Sequence, residues 1–310
     1  MNRGRTILRG LVSLAPAAAL VAACSTAAEP SANEQQPTGQ QQQQAGDAQS
    51  LPSPGQKVVV ISANICGNAP NICGYTDQPE VKARAAADAA RKHGASVLFL
   101  QEVCASNAEA LRAALPGWVV QHEPVATGEG PPERCDSSGR NPYGTAIAID
   151  ANLGPVTTTR IDLSGPPGEE KRVAVCADQP ARKLYACGAH FSILGEDIVE
   201  GSPTDTREAQ AELVRAAGQR AVERGYRTIL GGDLNVSELE RQQVLGGLYR
   251  DNIEADQVGA PPLNENTHGL GKLDFIFFDR SWTGITASVV PLEPDGVSDH
   301  RSLVATAYLP

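Results

Sequence analysis

Thr228-Ile229-Leu230-Gly231-Gly232-Asp233-Leu234-Asn235 is an apolar run that meets two glycines and then presents a carboxylate and an amide. Thr228 to Leu230 are β-branched or aliphatic, as a buried strand requires, and the glycines remove side chains where another group must approach the backbone closely. Asp233 and Asn235 are two apart, so on an extended backbone both side chains point the same way. Such a pair at a strand end can hold a water, a hydrated metal or a phosphate oxygen. Taken alone, the stretch is equally a strand followed by a helix cap, since Asp and Asn favour turns.

Outward from this stretch, no second composition regime appears after the N-terminal region, so one large domain over residues 57–310 is expected, with appendages before it. Arg3, Arg5 and Arg9 precede an apolar run from Leu11 to Ala23, which is too short to span a membrane and has the pattern of an export signal over residues 1–23. The run ends Val21-Ala22-Ala23-Cys24, which resembles the lipobox of bacterial lipoprotein precursors and implies lipidation at Cys24, with the domain held on the outer side of the cell membrane. Residues 24–56 are rich in Gln, Pro and Ser, with almost nothing to bury, and are expected to be a disordered tether.

With Cys24 set aside as the anchor, Cys66, Cys73, Cys104, Cys135, Cys176 and Cys187 remain, an even set in an exported chain, which points to disulfides. Cys176 and Cys187 flank a turn-like segment between two strand-like runs, and Cys66 with Cys73 would close a small loop, leaving Cys104 with Cys135. The formal net charge of −10 argues against a protein that grips nucleic acid with a broad basic surface. It leaves a nuclease open, because acidic metal ligands add to that total and a bound divalent cation reverses the local sign.

In chain order, strands are expected at Lys57–Ile65, Ser96–Gln101, Trp118–His122, Tyr143–Asp150, Val156–Ile161, Arg172–Cys176, Leu184–His190, Lys272–Phe278, Ile285–Val290 and Ser302–Tyr308, besides the opening stretch. Helices are expected from Pro79 to His93 with Asp77 as cap and Gly94 as stop, from a Ser106/Glu109 capping box to Leu115, from Thr204 to Arg224, and after a second box at Ser237/Glu240. In the Thr204 helix, Leu213, Val214 and Ala217 have the apolar spacing of a buried face. The long Gly- and Pro-rich loop from Glu123 to Asn141 is of the kind that lines a site. The pattern is α+β and suits two packed sheets with helices outside, or a single mixed sheet.

Polar residues recur where apolar runs end or are interrupted: Asn64, Glu102, Tyr143, His190, Asp233, Asn235, Asp274, Asp299 and His300. Loops on one rim of a sheet converge, so these positions can share one site. In order, Ser62-Ala63-Asn64, Leu100-Gln101-Glu102-Val103, Tyr143-Gly144, Gly188-Ala189-His190, Gly232-Asp233-Leu234-Asn235, Lys272-Leu273-Asp274-Phe275-Ile276 and Ser298-Asp299-His300 resemble the endonuclease/exonuclease/phosphatase superfamily of DNase I-like, metal-dependent phosphoesterases. The resemblance runs from about Val58 to Ala307. It implies a four-layered α/β/β/α sandwich with the site at one end of the packed sheets.

Carried residue by residue, the resemblance makes Glu102 the main metal ligand, with Asn64 and Asp299, and this oxygen-rich set suits Mg²⁺, Mn²⁺ or Ca²⁺. Asp233 would align or deprotonate the attacking water, Asn235 would hold a phosphate oxygen, and His190 with His300 would stabilise the developing charge. Asp274 would orient His300, and Tyr143 would donate to a phosphate oxygen or the leaving group. Arg172, in the strand before His190, is a phosphate-contact candidate by position, and equally a surface arginine beside Lys171.

Three departures separate the chain from known branches. Pancreatic-type DNases carry a Glu two residues after the Tyr as partner for the first His, where this chain has Thr145. Inositol polyphosphate phosphatases carry Pro-Ala-Trp-Cys-Asp-Arg where this chain has Gly-Leu-Gly-Lys-Leu-Asp. Secreted sphingomyelinases continue Ser-Asp-His with Tyr-Pro-Val, where Arg301-Ser302-Leu303 follows here. The expected function is a monomeric phosphodiester hydrolase acting on DNA or RNA. The alternatives are a phospholipid head-group phosphodiesterase of sphingomyelinase type and another phosphatase of the superfamily. A binding lipoprotein without activity is disfavoured, because every expected catalytic position is occupied.

Overall fold

The computed structural model describes residues 55–127, 134–136, 140–163, 170–193, 206–259 and 262–309. The export signal, Cys24, nearly all of the tether, the start of the Thr204 helix and parts of the 123–141 loop lie outside them. The chain divides into two units, Met1–Leu51 and Pro52–Pro310, and the second carries every element below.

The elements are, in order, β1 (Lys57–Asn64), α1 (Pro79–His93), β2 (Val97–Cys104), α2 (Ala105–Ala114), β3 (Trp118–Pro124), β4 (Ala126–Thr127), β5 (Tyr143–Asp150), β6 (Thr157–Asp162), β7 (Glu170–Lys171), β8 (Val173–Gln179), β9 (Leu184–His190), α3 (Thr206–Glu223), β10 (Arg227–Asp233), α4 (Arg241–Val244), α5 (Gly246–Asp251), β11 (Asn252–Glu254), β12 (Asp274–Asp279), β13 (Thr283–Pro291) and β14 (Arg301–Tyr308). They form two six-stranded sheets, ordered β13-β14-β1-β2-β5-β3 and β11-β12-β10-β9-β8-β6, and a two-stranded β4-β7 ribbon. Each large sheet is built around one parallel pair, β1 with β2 and β9 with β10.

Period-two alternation sorts each strand's side chains into two layers. Val58, Val60, Val97, Phe99, Ile147 and Ile149 of the first sheet face Val175, Leu184, Ile229, Ile276 and Phe278 of the second. The opposite faces carry helices: Ile61, Leu98 and Leu100 pack on alanines of α1 and on Leu111 of α2. Leu230, Phe275 and Phe277 pack on Val214 and Ala217 of α3 and Leu248 of α5. The result is the four-layered sandwich, and two sheets rather than one mixed sheet. Phe99 stands directly over Gly188 of the facing sheet, where an added Cβ would come within 2.7 Å of the ring.

Several local expectations change. Helix α1 has Gln78, not Asp77, at its N-cap, with no side-chain cap bond and Pro79 beginning the helix. Helix α2 begins at Ala105, one residue before the expected Ser106 box, because Asn107 Oδ1 accepts the Cys104 N–H at 2.9 Å and caps the chain as it leaves the strand. Glu240 does accept the Ser237 N–H and hydroxyl, at 3.2 and 2.6 Å, but closes a turn, and α4 starts only at Arg241. On α3 the buried face runs through Gln210, Val214, Ala217 and Ala221, and Leu213 is 36% exposed. All three bridges pair as read: Cys66–Cys73, Cys104–Cys135 and Cys176–Cys187, the last joining directly opposed residues of β8 and β9.

The glycine pair of the opening stretch is forced by backbone approach. A Cβ on Gly231 would lie 2.2 Å from Phe275 O, and one on Gly232, whose φ is 133°, would lie 1.9 Å from Ala189 O. Neither obstacle is a side chain that can rotate away. Gly232→Ala is therefore expected to destabilise the domain by about 3 kcal/mol or more in chemical denaturation, combining backbone strain with overpacking. Gly246→Ala, whose Cβ meets nothing within 4 Å, should leave stability unchanged or slightly raised. Equal effects at the two positions would refute the close-approach account.

Candidate active site

The same alternation that builds the intersheet core delivers the site. Along β1 the inward positions run Val58, Val60, Ser62, Asn64; along β10 they run Ile229, Gly231, Asp233; along β9 they end Gly188, His190. At one end of the sandwich the inward residues turn from apolar to polar. Asp233 is registered against His190 on one side and Asp274 on the other. Glu102 would face outward by parity. The β2–β5 register shifts between Leu100 and Val103, a bulge that puts Glu102 at φ 55°. That left-handed backbone costs on the order of 1–3 kcal/mol, and its carbonyl is held by the Gly67 N–H at 2.8 Å.

Asn64 joins the two sheets. Its Nδ2 donates to Glu102 Oε1 at 2.9 Å and to Asp233 Oδ2 at 3.1 Å, while its Oδ1 accepts the Cys66 N–H at 2.9 Å. Asp233 Oδ2 also lies 3.6 Å from Nε2 of both His190 and His300, and Oδ1 accepts the Asn235 N–H at 3.1 Å. Behind His300, Nδ1 donates to Asp274 Oδ2 at 2.9 Å, and Asp274 Oδ1 accepts the Ser62 hydroxyl from the other sheet at 3.1 Å.

These contacts push the three titrating groups apart. Burial lifts Asp233 to about 7, with Asp274 adding to the lift and His300 opposing it. Burial acts against a charge on His300, but Asp274, Asp233 and Asp299 overcome it and raise the imidazole to about 10. The site therefore holds an imidazolium beside a carboxylate poised to accept a proton near neutrality.

His190 goes the other way, well below its ordinary value, through burial, Arg172 and His300 in that order. Its partner is the arginine. Arg172 Nη1 lies 3.1 Å from Nδ1 and 3.5 Å from Nε2, and such near-equal distances to two nitrogens of one ring place the guanidinium over its face. Arg172 is 3% exposed, with Glu170 at 3.0 Å, so it is a buried arginine against His190 and not the surface arginine beside Lys171 that its position equally allows. This is how the chain manages with Thr145 where a carboxylate was expected: His190 is kept as a neutral ring.

The donor set fits a hard divalent cation. Glu102 is half-buried and Asp299 reaches solvent, so two carboxylates are on offer as oxygen donors, while the Asn64 amide turns Nδ2 toward Glu102 and Oδ1 toward the Cys66 N–H and would have to turn over to add a third. Lys82 lies beneath them, fully buried, donating to Ile65 O at 3.0 Å and Val297 O at 2.6 Å and so tying the loops that follow Asn64 and precede Asp299. Burial lowers its ammonium to about 8, against the pull of Glu102 and Asp299. A nitrogen-rich alternative, His268 with Asp299 and His300, is geometrically close but chemically unsuited. His268 Nδ1 accepts the Leu270 N–H at 3.1 Å, so its proton is on Nε2, 3.5 Å from Asp299 Oδ2, and His300 carries both protons.

Tyr143 begins β5 on the inner face, packed with Val125 and Val173 near the same end. Asn235, at φ 48°, gives one N–H to Phe191 O at 3.0 Å and remains half-buried at the rim. The structure thus joins Asn64, Glu102, Asp233, Asn235, His190, Asp274 and His300 in one network, with Asp299 on its solvent side. Lys82, Ser62 and His268 were missed. Lys82 falls on the buried stripe of α1 with Ala83, Ala86, Ala87 and Ala90, which was the available signal. His268, its ring tilted against that of His300 with centroids 4.7 Å apart, comes from an irregular stretch with no period to mark it.

The pairing behind His300 yields a test. His300→Ala should lower turnover by about two to four orders of magnitude, the scale of losing a positioned acid or charge stabiliser. Asp274→Asn should cost a large part of the same loss, and the double variant should be scarcely slower than His300→Ala, since residues acting as one unit are not additive. Steady-state kinetics in which the two losses multiply would show that they act independently.

Comparison with known proteins follows from this geometry. The family model described as "Endonuclease/Exonuclease/phosphatase family" matches residues 61–300. No curated protein matches the sequence. The human Nocturnin catalytic domain with bound sulfate aligns with TM-score 0.62 at 18% identity, covering 83% of this chain and 94% of that one. An endonuclease/exonuclease/phosphatase from Bacteroides vulgatus aligns with TM-score 0.60 at 17% identity, covering 82% and 100%. D. rerio TDP2 complexed with single-strand DNA product aligns with TM-score 0.57 at 18% identity, covering 82% and 99%. These likenesses share the sandwich fold, and the family match spans both the Gln-Glu and the Ser-Asp-His ends of the site. The chain belongs to the endonuclease/exonuclease/phosphatase family.

Proposed function

We propose that the chain is a divalent-metal-dependent phosphodiester hydrolase that cleaves nucleic acid outside the cell, held to the membrane by a lipid at Cys24. The observation that carries the reaction is the continuous network from Asp274 through His300 and Asp233 to Asn64 and Glu102. A bound Mg²⁺, Mn²⁺ or Ca²⁺ held by Glu102 and Asp299 with Asn64 would neutralise phosphate oxygens and favour the leaving group. Asp233 takes the proton of the attacking water, for which its raised affinity near neutrality suits it. His300, as an imidazolium steadied by Asp274, donates to the phosphate oxygen on which charge builds. Neutral His190 offers its Nε2–H toward the same place, and Asn235 and Tyr143 complete the cradle.

D. rerio TDP2, similar in fold, is crystallised with a single-strand DNA product, which supports nucleic acid as the substrate class. A second reading, phospholipid head groups, is favoured by one observation. The three most exposed large aliphatics among the described residues, Leu239 at 97%, Leu270 at 83% and Ile72 at 70%, all belong to loops leaving the strand ends of the site. The substrate panel is single-stranded DNA, RNA, sphingomyelin and a generic phosphodiester, each with and without Mg²⁺. Nucleic acid should be cut fastest, only with the cation, and Glu102→Ala should abolish it. Faster sphingomyelin turnover transfers the assignment to the second reading, and undiminished turnover in excess chelator removes the metal.

The anchor has its own measurement. Cys24→Ala should leave the membrane fraction or remain unprocessed, because the diacyl anchor is what retains the domain. Fractionation like that of the parent would leave the lipoprotein reading without support.

A further inference from the structure

Each of the three candidate metal ligands is attached to a half-cystine. Asn64 is two residues before Cys66 and accepts that residue's N–H at 2.9 Å through Oδ1. This bond sets the amide so that Nδ2, not Oδ1, faces Glu102 and Asp233. Cys66 makes it from a left-handed backbone, φ 51°, which a β-carbon-bearing residue adopts only under constraint. Glu102, also left-handed, is two residues before Cys104, whose Sγ lies 3.2 Å from Gly67 O. Asp299 Oδ1 lies 3.4 Å from Cys73 Sγ, and the adjoining Gly74 N–H donates to Gly296 O at 2.8 Å. Neither sulfur carries a proton, so both are packing contacts that hold one loop against another.

We propose that the Cys66–Cys73 and Cys104–Cys135 bridges are positioning elements of the metal centre, so that the site acquires its cation affinity only when both are closed. This rests on the metal reading above. Opening one bridge takes two electrons and two protons from an external dithiol, which closes to its own disulfide and leaves two cysteine thiols. With Cys66–Cys73 open, the Cys66 turn keeps its backbone bonds but loses its covalent tie to the Cys73 loop, and Asp299 loses the fixed sulfur it packs against; with Cys104–Cys135 open, the same holds for the Cys104 sulfur against Gly67 O beside Glu102. Of the four cysteines only Cys135 is not fully buried, so a dithiol reaches the Cys104–Cys135 bridge first. A chain made in a reducing compartment would be folded but metal-poor, and would become competent on oxidation.

The third bridge supplies the control. Cys176–Cys187 spans a sequence separation of 11 against 7 for Cys66–Cys73, so loop-closure contributions are comparable. It is buried on the outer face of the second sheet beneath α3, away from the ligand loops. The test is Mn²⁺ binding by calorimetry on the full chain and on the double variants Cys66→Ser/Cys73→Ser, Cys104→Ser/Cys135→Ser and Cys176→Ser/Cys187→Ser, at a temperature where circular dichroism shows each folded. Both rim variants should bind Mn²⁺ at least tenfold more weakly, while the third loses thermal stability and keeps parental affinity. Should a rim variant not fold, the parent partially reduced with dithiothreitol, its opened bridge located by alkylation and mass spectrometry, takes its place with the same expectation. Parental affinity after a rim bridge is opened, or an equal loss in the Cys176/Cys187 variant, overturns the proposal. No Mn²⁺ binding by the parent overturns the metal reading itself, and with it this one.

Discussion

Two carboxylates from two different sheets face each other across one amide. Glu102 arrives on a bulge of the first sheet and Asp233 on the last residue of a strand in the second, and the two N–H bonds of Asn64 hold them in register. Without a shared donor, two negative groups brought this close in a partly dry cleft would repel or take up a proton. Ser62, one inward position earlier on the same strand, makes the second crossing, to Asp274. The polar rim is thus a continuation of the hydrophobic core, and the intersheet packing below it is what allows two bonds to set the relative position of Glu102 and Asp233.

The charges around that rim follow from which partner each group has. His300 has a fully buried carboxylate behind it that overcomes burial and drives it to the charged form; His190 is driven to the neutral form by burial first and by the guanidinium beside it second. Chemically similar rings on adjacent sites therefore do different work. Where the resemblance to pancreatic-type DNases predicts a carboxylate as partner of the first histidine, Thr145 stands, and the charged neighbour of His190 is Arg172, itself paired with Glu170.

Much of this was legible because strands have period two. Once Val58, Val60, Ile229 and Phe278 are recognised as inward residues, the sides on which Asn64, Asp233 and Asp274 must lie are determined. The alternation cannot show a bulge, so Glu102 was located by motif and not by parity. Capping boxes misled at Ser106 and Ser237 because the pattern is local, whereas the first helix starts where a strand and a disulfide leave it and the second glutamate is drawn to the buried Arg207. Which side chain meets which, such as Arg172 from the neighbouring strand on His190 or Lys82 of α1 on the loops beneath Glu102 and Asp299, depends on tertiary packing that no spacing encodes. The cysteine pairing was readable from loop lengths, but its nearness to the ligands was not.

The contact of Phe99 with Gly188 has a consequence beyond packing. It lies between the sheets just below the site, one residue type too large to shrink quietly and one too small to grow. It works as a caliper: the gap between the sheets is set there by the thickness of a single aromatic ring lying on bare backbone. A wider or narrower jaw would leave every rim residue present and correctly bonded within its own sheet, yet shift one half of the polar network against the other. Mutational scans of this domain would then record a loss of activity at a position that lies outside the polar network altogether.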